Sequence, residues 1–288
     1  MFADACSKAK QYARPVIDSI RTFDGTVTST VATFVVLNSD GWIVTSGHIF
    51  DNFVRFQTDQ RKINELKELK ESSPGSDVPD PNPDAIVNHS FWWGWDGVVL
   101  RDAVIHRQLD ICIGRLENFN SAWVETYPVL GDPDRTRCGM SLCRLGFPFL
   151  HFDTDFDVER GAFRIPRMDS QKVIFPNDCI CTRHIDKGVS KDGKVELSYV
   201  ETSTPGLKGQ SGGPIVDTRG NVRAIQVSTT SFSLDFHPVV NYNGQQVVES
   251  QFMNIGLGVD IRVVRKLLDE RGIRYVAEGD ESGYRIIS

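Results

Sequence analysis

Along most of the chain, apolar residues come in short runs that alternate with polar ones and end at turn residues. This is the pattern of strands rather than of long helices. Val31-Ala32-Thr33-Phe34-Val35-Val36-Leu37 is a β-branched and aromatic run, followed by Asn38-Ser39-Asp40-Gly41 and then Trp42-Ile43-Val44-Thr45. An Asp-Gly pair between two such runs predicts a hairpin. The pattern returns where Lys191-Asp192-Gly193-Lys194 precedes Val195–Val200, and where Asp217–Asn221 separates Pro214-Ile215-Val216 from Val222–Val227. Many short strands at regular spacing point to barrels or a sandwich.

Two regions read as helical. Residues 1–20 are mixed and interrupted by Pro15, which predicts only a short N-terminal helix. The second region is better marked: Asp260 is placed to cap, Ile261, Val264, Leu267 and Leu268 share a face, and Gly272 stands where a C-cap glycine belongs. One segment breaks the strand pattern. Arg61–Glu71 is nearly all charged and Ser72–Pro83 is rich in Ser, Pro and Asp, which predicts a partly mobile surface insertion. It runs into Phe91-Trp92-Trp93-Gly94-Trp95, expected to cover the outside of a barrel, with a docking surface as the alternative.

With 40% hydrophobic and 24% charged residues in 288, the chain has the material for a real core, which excludes disordered and collagen-like classes. The longest apolar runs are far below the roughly 20 residues of a membrane-spanning helix, so no membrane span is expected. A net charge of −6 and a pI near 5.6 argue against a general nucleic-acid binder. Asp4, Lys8, Lys10, Arg14 and Asp18 interrupt every candidate export signal, so the six cysteines are expected to be free thiols in a cytoplasmic, reducing setting.

The strongest chemical signal is Gly209-Gln210-Ser211-Gly212-Gly213-Pro214. Glycines around a serine allow a tight exposed turn in which the amides of Gly209 and Ser211 aim at one spot, as an oxyanion hole requires. A serine nucleophile needs a general base. Of His48, His89, His106, His151, His184 and His237, only His48 follows a strand directly, in Val44-Thr45-Ser46-Gly47-His48. That base in turn needs a carboxylate to hold its tautomer. Asp110, in the apolar run Leu109-Asp110-Ile111-Cys112-Ile113, fits better than Asp96 or Asp102 in their more polar surroundings. Cys179-x-Cys181-x-x-His184 lacks a fourth ligand at zinc spacing and reads as a thiol-bearing strand. A regulatory disulfide between Cys138 and Cys143 is a minor reading.

Thr45-Ser46-Gly47-His48, Leu109-Asp110-Ile111 and Gly209–Pro214 resemble, in order, the three signature blocks of the trypsin-like (chymotrypsin-fold) serine peptidases. Ser141–Pro148 and the Gly258-Val259 run into the helix resemble bacterial HtrA-like members, here without a PDZ domain. The resemblance implies an all-β fold of two packed six-stranded antiparallel barrels with a C-terminal helix. It assigns 1–26 to an N-terminal extension and 27–272 to the peptidase domain. Within that domain the barrels fall at about 27–120, with an insertion at 58–95, and 125–259, followed by the helix at 260–272; a tail occupies 273–288.

The implied activity is peptide-bond hydrolysis through an acyl-enzyme, with Ser211 as nucleophile, His48 as base, Asp110 as its partner and Gly209 and Ser211 as oxyanion donors. Gln226, Val227 and Ser228 would pair with the substrate backbone, and Pro205 falls near the pocket floor. A small or medium apolar side chain before the scissile bond is expected. Gln210 and Ile49 stand where secreted relatives carry an activating aspartate and a disulfide cysteine. No cofactor or metal is implied; the partners are a protein or peptide substrate and a regulatory protein engaging the 58–95 insertion. The alternative is a catalytically quiet or latent scaffold that binds a peptide or partner in the same cleft.

Overall fold

The computed structural model describes residues 1–73, 77–150, 154–165 and 173–280. Helix α1 (Ala3–Tyr12) runs directly into β1 (Ala13–Thr22). With β2 (Val27–Val36), β3 (Trp42–Ser46), β4 (Ile86–Trp92), β5 (Val99–His106) and β6 (Ile111–Glu117), β1 forms a curled antiparallel sheet of order β4-β1-β2-β3-β6-β5. Helix α2 (Asp51–Ser72) lies between β3 and β4.

The second half contains β7 (Val129–Leu130), β8 (Ser141–Gly146), the small hairpin of β9 (Asp155–Asp157) and β10 (Ala162–Arg164), β11 (Phe175–Val189) and β12 (Glu196–Thr202). It continues with β13 (Pro214–Asp217), β14 (Val222–Ser233), a hairpin of β15 (Val239–Tyr242) and β16 (Gln245–Val248), and β17 (Phe252–Asp260). Strands β13-β8-β11-β12-β17-β14 form a ring, closed by the β13–β14 pairing. Helix α3 (Ile261–Asp269) packs outside, and β18 (Val276–Ala277) joins β7 beyond the ring. This is the expected all-β double barrel.

The three anticipated hairpin turns connect β2 to β3, β11 to β12 and β13 to β14. Asp260 caps α3 by accepting from the Arg262 amide at 2.8 Å, and Ile261, Val263, Val264, Leu267 and Leu268 are buried. One apolar cluster runs through both halves, with a second, containing Leu142, Cys179, Cys181, Val200, Ile215 and Ala224, inside the ring. The Cys-x-Cys pair therefore faces core. No helix among the described residues is long and apolar enough to cross a membrane.

The segment before Val27 differs from the expectation of an extension. It holds β1, whose buried polar residues conceal a strand from a reading based on apolar alternation. Arg14 is satisfied by the carbonyls of Lys10 and Ala13 and lies over the Trp95 ring. Asp18 accepts from Asn52 at 2.7 Å and faces His89 Nε2 across 2.8 Å. Pro15 is accommodated because pairing with β4 begins only at Ile17.

The 58–95 insertion also has more structure than expected. Its charged run belongs to α2, a helix that buries only Ile63 and is held to β4 where Asp59 accepts from the Ile86 amide at 2.9 Å. A helix with so little apolar face gives no periodic signal. The mobility expected over Ser72–Pro83 bears partly on residues 74–76, outside the described residues. Of the aromatic run, Trp93 is buried against Phe34, Phe50 and Phe91, whereas Phe91, Trp92 and Trp95 are half-buried, with Trp95 stacked on Trp123.

Candidate active site

His48 leaves the end of β3 through Gly47 and opens a short 3-10 turn, His48–Phe50, that leads into α2. The approach at this glycine is close: a Cβ on Gly47 would stand 3.2 Å from Asp110 Oδ1 and 3.1 Å from Ile105. Asp110 sits at the end of the β5–β6 turn rather than inside an apolar strand, with φ of 61° and a half-buried side chain. Aspartate tolerates this left-handed conformation better than most side chains. The turn aims its carboxylate at His48 by two bonds. Oδ1 accepts from the His48 amide at 2.7 Å, and Oδ2 lies 2.6 Å from Nδ1. The Gly47 amide donates to the Asp110 carbonyl at 2.9 Å, so the two turns are tied by backbone as well.

The Nδ1 bond to Asp110 raises the His48 pKa above its ordinary 6.5; burial opposes it, and the nearby charges of Asp110 and Asp51 reinforce it. Asp96 is engaged with Trp92 Nε1 and Asp102 lies near Arg115, so neither competes for His48. Among the other histidines, His89 pairs with Asp18, His184 lies between Asp260 and the Thr136 carbonyl, and His151 is outside the described residues.

Ser211 is held in a turn between β12 and β13 whose glycines are packed to backbone distance. Cβ atoms would stand 2.3 Å from the Phe147 carbonyl oxygen at Gly209 and 2.2 Å from the Thr33 oxygen at Gly212. Both glycines have positive φ, 96° and 81°. In this turn the amides of Gln210, Gly212 and Gly213 donate to the carbonyls of Leu207, Gln226 and Gln210. Among the described residues, the amides of Gly209 and Ser211 have no such acceptor. Two free N–H groups flanking the serine are what an oxyanion hole needs. His48 and Ser211 line the same cavity of about 680 Å³, together with Val31, Ile49, Phe147 and Leu207.

A family model for the trypsin-like peptidase domain matches residues 32–225, a span that contains the histidine, aspartate and serine turns. The chain belongs to the trypsin-like peptidase family. It is therefore a serine protease by class. Among solved structures, the crystal structure of the Rv3671c protease from M. tuberculosis in its active form is similar. The TM-score is 0.51 at 14% identity, covering 94% of this chain and 86% of that one, a likeness of fold. No curated protein matches the chain.

Several residues that shape this trypsin-like site gave no motif in the sequence. Thr33, fully buried in β2, donates from its amide to the Ser211 carbonyl at 2.8 Å and from its hydroxyl to the Gly209 carbonyl at 2.6 Å. Gln210 is also fully buried. Its Oε1 accepts from the Leu207 amide at 3.0 Å, so the residue before the serine staples its own loop.

Of the expected substrate residues, Gln226 uses both backbone groups on the serine turn, donating to the Gly213 carbonyl and accepting from the Gly212 amide. The β14–β17 register shifts between Gln226 and Ser228, which places Val227 in a bulge. Pro205 and Gln226 meet through a residue the sequence did not single out: Arg144 donates to the Pro205 carbonyl at 2.8 Å and to Gln226 Oε1 at 2.6 Å.

All six cysteines are free. Cys138 donates to the Thr182 carbonyl, whereas Cys143 lies 3.9 Å, sulfur to sulfur, from Cys6 of α1. The contact the structure offers to Cys143 is thus Cys6, not Cys138.

Proposed function

We propose that the chain is a serine endopeptidase working through Ser211, His48 and Asp110. The observation that carries this reading is the two-point grip of the Asp110 carboxylate on His48, on a cavity that Ser211 shares. Asp110 Oδ2 accepts from Nδ1–H, which leaves Nε2 as the basic nitrogen. Ser211 Oγ attacks the scissile carbonyl while His48 Nε2 takes its proton. The oxyanion that forms is received by the amides of Gly209 and Ser211. The imidazolium, stabilised by Asp110, then protonates the leaving amine. Water, activated by the same nitrogen, releases the acyl group from Ser211.

The substrate is a protein or peptide, since the chemistry requires an acyl carbon that can lie beside Ser211 with its chain extended along β14. Six free thiols fit a reducing, cytoplasmic setting. A partner protein gripping α2 would act close to the base, because Asp51 and Asn52 at the root of that helix line the same cavity as His48.

The test is labelling of the purified chain by a fluorophosphonate probe beside Ser211→Ala and His48→Ala controls. Labelling that both substitutions abolish supports the assembled relay. A folded chain that takes no label overturns constitutive activity and favours the quiet or latent scaffold.

A further inference from the structure

The N-terminal helix brings two thiols from opposite halves of the molecule into contact. Ala5, Ala9 and Tyr12 of α1 are buried, and Lys8 Nζ donates at 3.3 Å to the carbonyl of Arg219, in the turn between β13 and β14. Helix α1 therefore lies on the ring barrel, although its chain continues without a break into β1 of the first barrel. The Cys6 sulfur stands 3.9 Å from that of Cys143, 137 residues further along in β8. Cys143 is fixed from both sides, because β8 pairs at this residue with Asp178 of β11 and with Val216 of β13. It is buried, whereas Cys6 is half-buried and open to small solutes. Among the described residues no other pair of thiols shares a hydrogen bond.

The two thiols are unequal. The hydrogen bond from Cys143 holds the Cys6 thiol below its ordinary value, with burial opposing and the Lys10 charge assisting. The same hydrogen bond, together with burial and the charge on Cys6, pushes the Cys143 thiol up. The accessible sulfur is thus the thiolate and the buried one keeps its proton, which is the order needed for an attacking and a resolving cysteine. Two of the causes that hold the proton on Cys143 belong to the Cys6 thiolate, and they vanish once Cys6 is oxidised.

We infer that Cys6 and Cys143 are a reversible redox pair, closed by a peroxide into a disulfide that staples the N-terminal helix to β8 and thereby the first barrel to the second. The Cys6 thiolate attacks one peroxide oxygen, the O–O bond breaks, and the hydroxide released takes a proton to become water. Cys6 is left as a sulfenic acid. The Cys143 sulfur then attacks the Cys6 sulfur: the S–S bond forms as the S–O bond breaks, and the Cys143 proton leaves with the hydroxyl as a second water. Two electrons pass from the thiols to the peroxide. The sulfurs have to close from 3.9 Å to about 2 Å. Among thiols otherwise kept reduced, transient bonds of this kind are the form that disulfides take. Neither cysteine lines the cavity of Ser211 and His48, so the staple holds or fails independently of the chemistry there.

The experiment treats the reduced chain with stoichiometric hydrogen peroxide, blocks the remaining thiols with iodoacetamide and maps the peptides without reductant. The expected result is one cross-link, between the peptides of Cys6 and Cys143, that dithiothreitol removes. Closing so long a loop should raise the thermal midpoint by roughly 10 °C over the reduced chain. Cys6→Ser and Cys143→Ala should each abolish both the cross-link and the rise. Mapping of the wild-type chain needs neither variant, so a variant that fails to fold leaves the test standing. Recovery of Cys6 as the sulfinic acid, a cross-link from Cys138 to Cys143 or Cys181, or six unmodified thiols in excess peroxide overturns the pair. A Cys6–Cys143 bond that leaves the midpoint unmoved overturns the staple.

Discussion

The amide of Thr33 donates to the carbonyl of Ser211 at 2.8 Å, so a strand of the first barrel holds the serine turn of the second by its backbone. The Thr33 hydroxyl takes the neighbouring Gly209 carbonyl at 2.6 Å, and its own carbonyl accepts from Thr45 at 2.7 Å, one residue before Ser46-Gly47-His48. Thr33 thus links the turn that carries Ser211 to the strand that leads to His48.

Thr33→Val keeps the shape and deletes the hydroxyl. The Gly209 carbonyl then retains only its bond from the Phe147 amide. We expect a loss of stability of about 1–3 kcal/mol, read from urea unfolding. A fall in kcat/KM of about tenfold or more should accompany it as the Ser211 turn shifts. Unchanged peptide hydrolysis in a folded Thr33→Val chain would show that the turn positions itself without this bond.

The raised His48 pKa sets a pH dependence. The proposed role as general base requires a neutral His48, so kcat/KM should rise with pH through a midpoint above 6.5. Asp110→Asn removes the largest cause of the shift. The midpoint should fall, and kcat should drop by about 10⁴, the scale known for losing the orienting carboxylate of such a relay. The stability linkage has the opposite sense. A pKa raised in the folded state favours the folded chain below pH 6.5, and that advantage disappears as pH climbs through the folded-state value. Wild type should therefore exceed Asp110→Asn in thermal midpoint by more at pH 5 than at pH 8. A pH-independent difference would assign the loss to packing.

Gly212 tests how closely the barrels meet. An alanine there would bring its Cβ 2.2 Å from the Thr33 oxygen and 2.4 Å from Thr45 Oγ1, at a φ of 81°. Gly212→Ala should cost about 3 kcal/mol or more and abolish phosphonate labelling, whereas Gly193→Ala, in an open turn between β11 and β12, should leave labelling intact.

Cys6 should be the thiol that alkylates most readily near neutral pH. A hydrogen bond from Cys143 stabilises its thiolate and brings its pKa down to about 7, with burial opposing and Lys10 assisting. Iodoacetamide labelling followed by peptide mapping should find Cys6 modified with a midpoint near that value. In Cys143→Ala the midpoint should move up, because the donor is gone. A profile that does not respond to Cys143 would assign the reactivity to Lys10 instead.

The parts of the site that depend on unusual local chemistry were legible in the sequence. Glycines around Ser211, small residues before His48 and Asp-Gly turns each require a particular backbone conformation, and each marks its place without reference to distant residues. The apolar neighbours of Asp110 mark it as a candidate, but it sits in a left-handed turn whose geometry those neighbours do not announce. Strand β1 leaves no sequence signal because Arg14 and Asp18 are buried polar groups whose partners, in α1, α2 and β4, are distant or belong to other elements. Arg144 leaves no signal for the same reason. In sequence it is one basic residue in an apolar run, and its place in the fold depends on which acceptors surround it.

Helix α2 also has a mechanical consequence. Its 22 residues extend about 33 Å from a root only three residues beyond His48. At that root Asp51 is ion-paired with Arg107, which belongs to the same turn as Asp110. A sideways load on the helix tip would therefore pull on the histidine turn and the aspartate turn together. His48 and Asp110 would move as one body, preserving their mutual alignment while changing their bearing on Ser211.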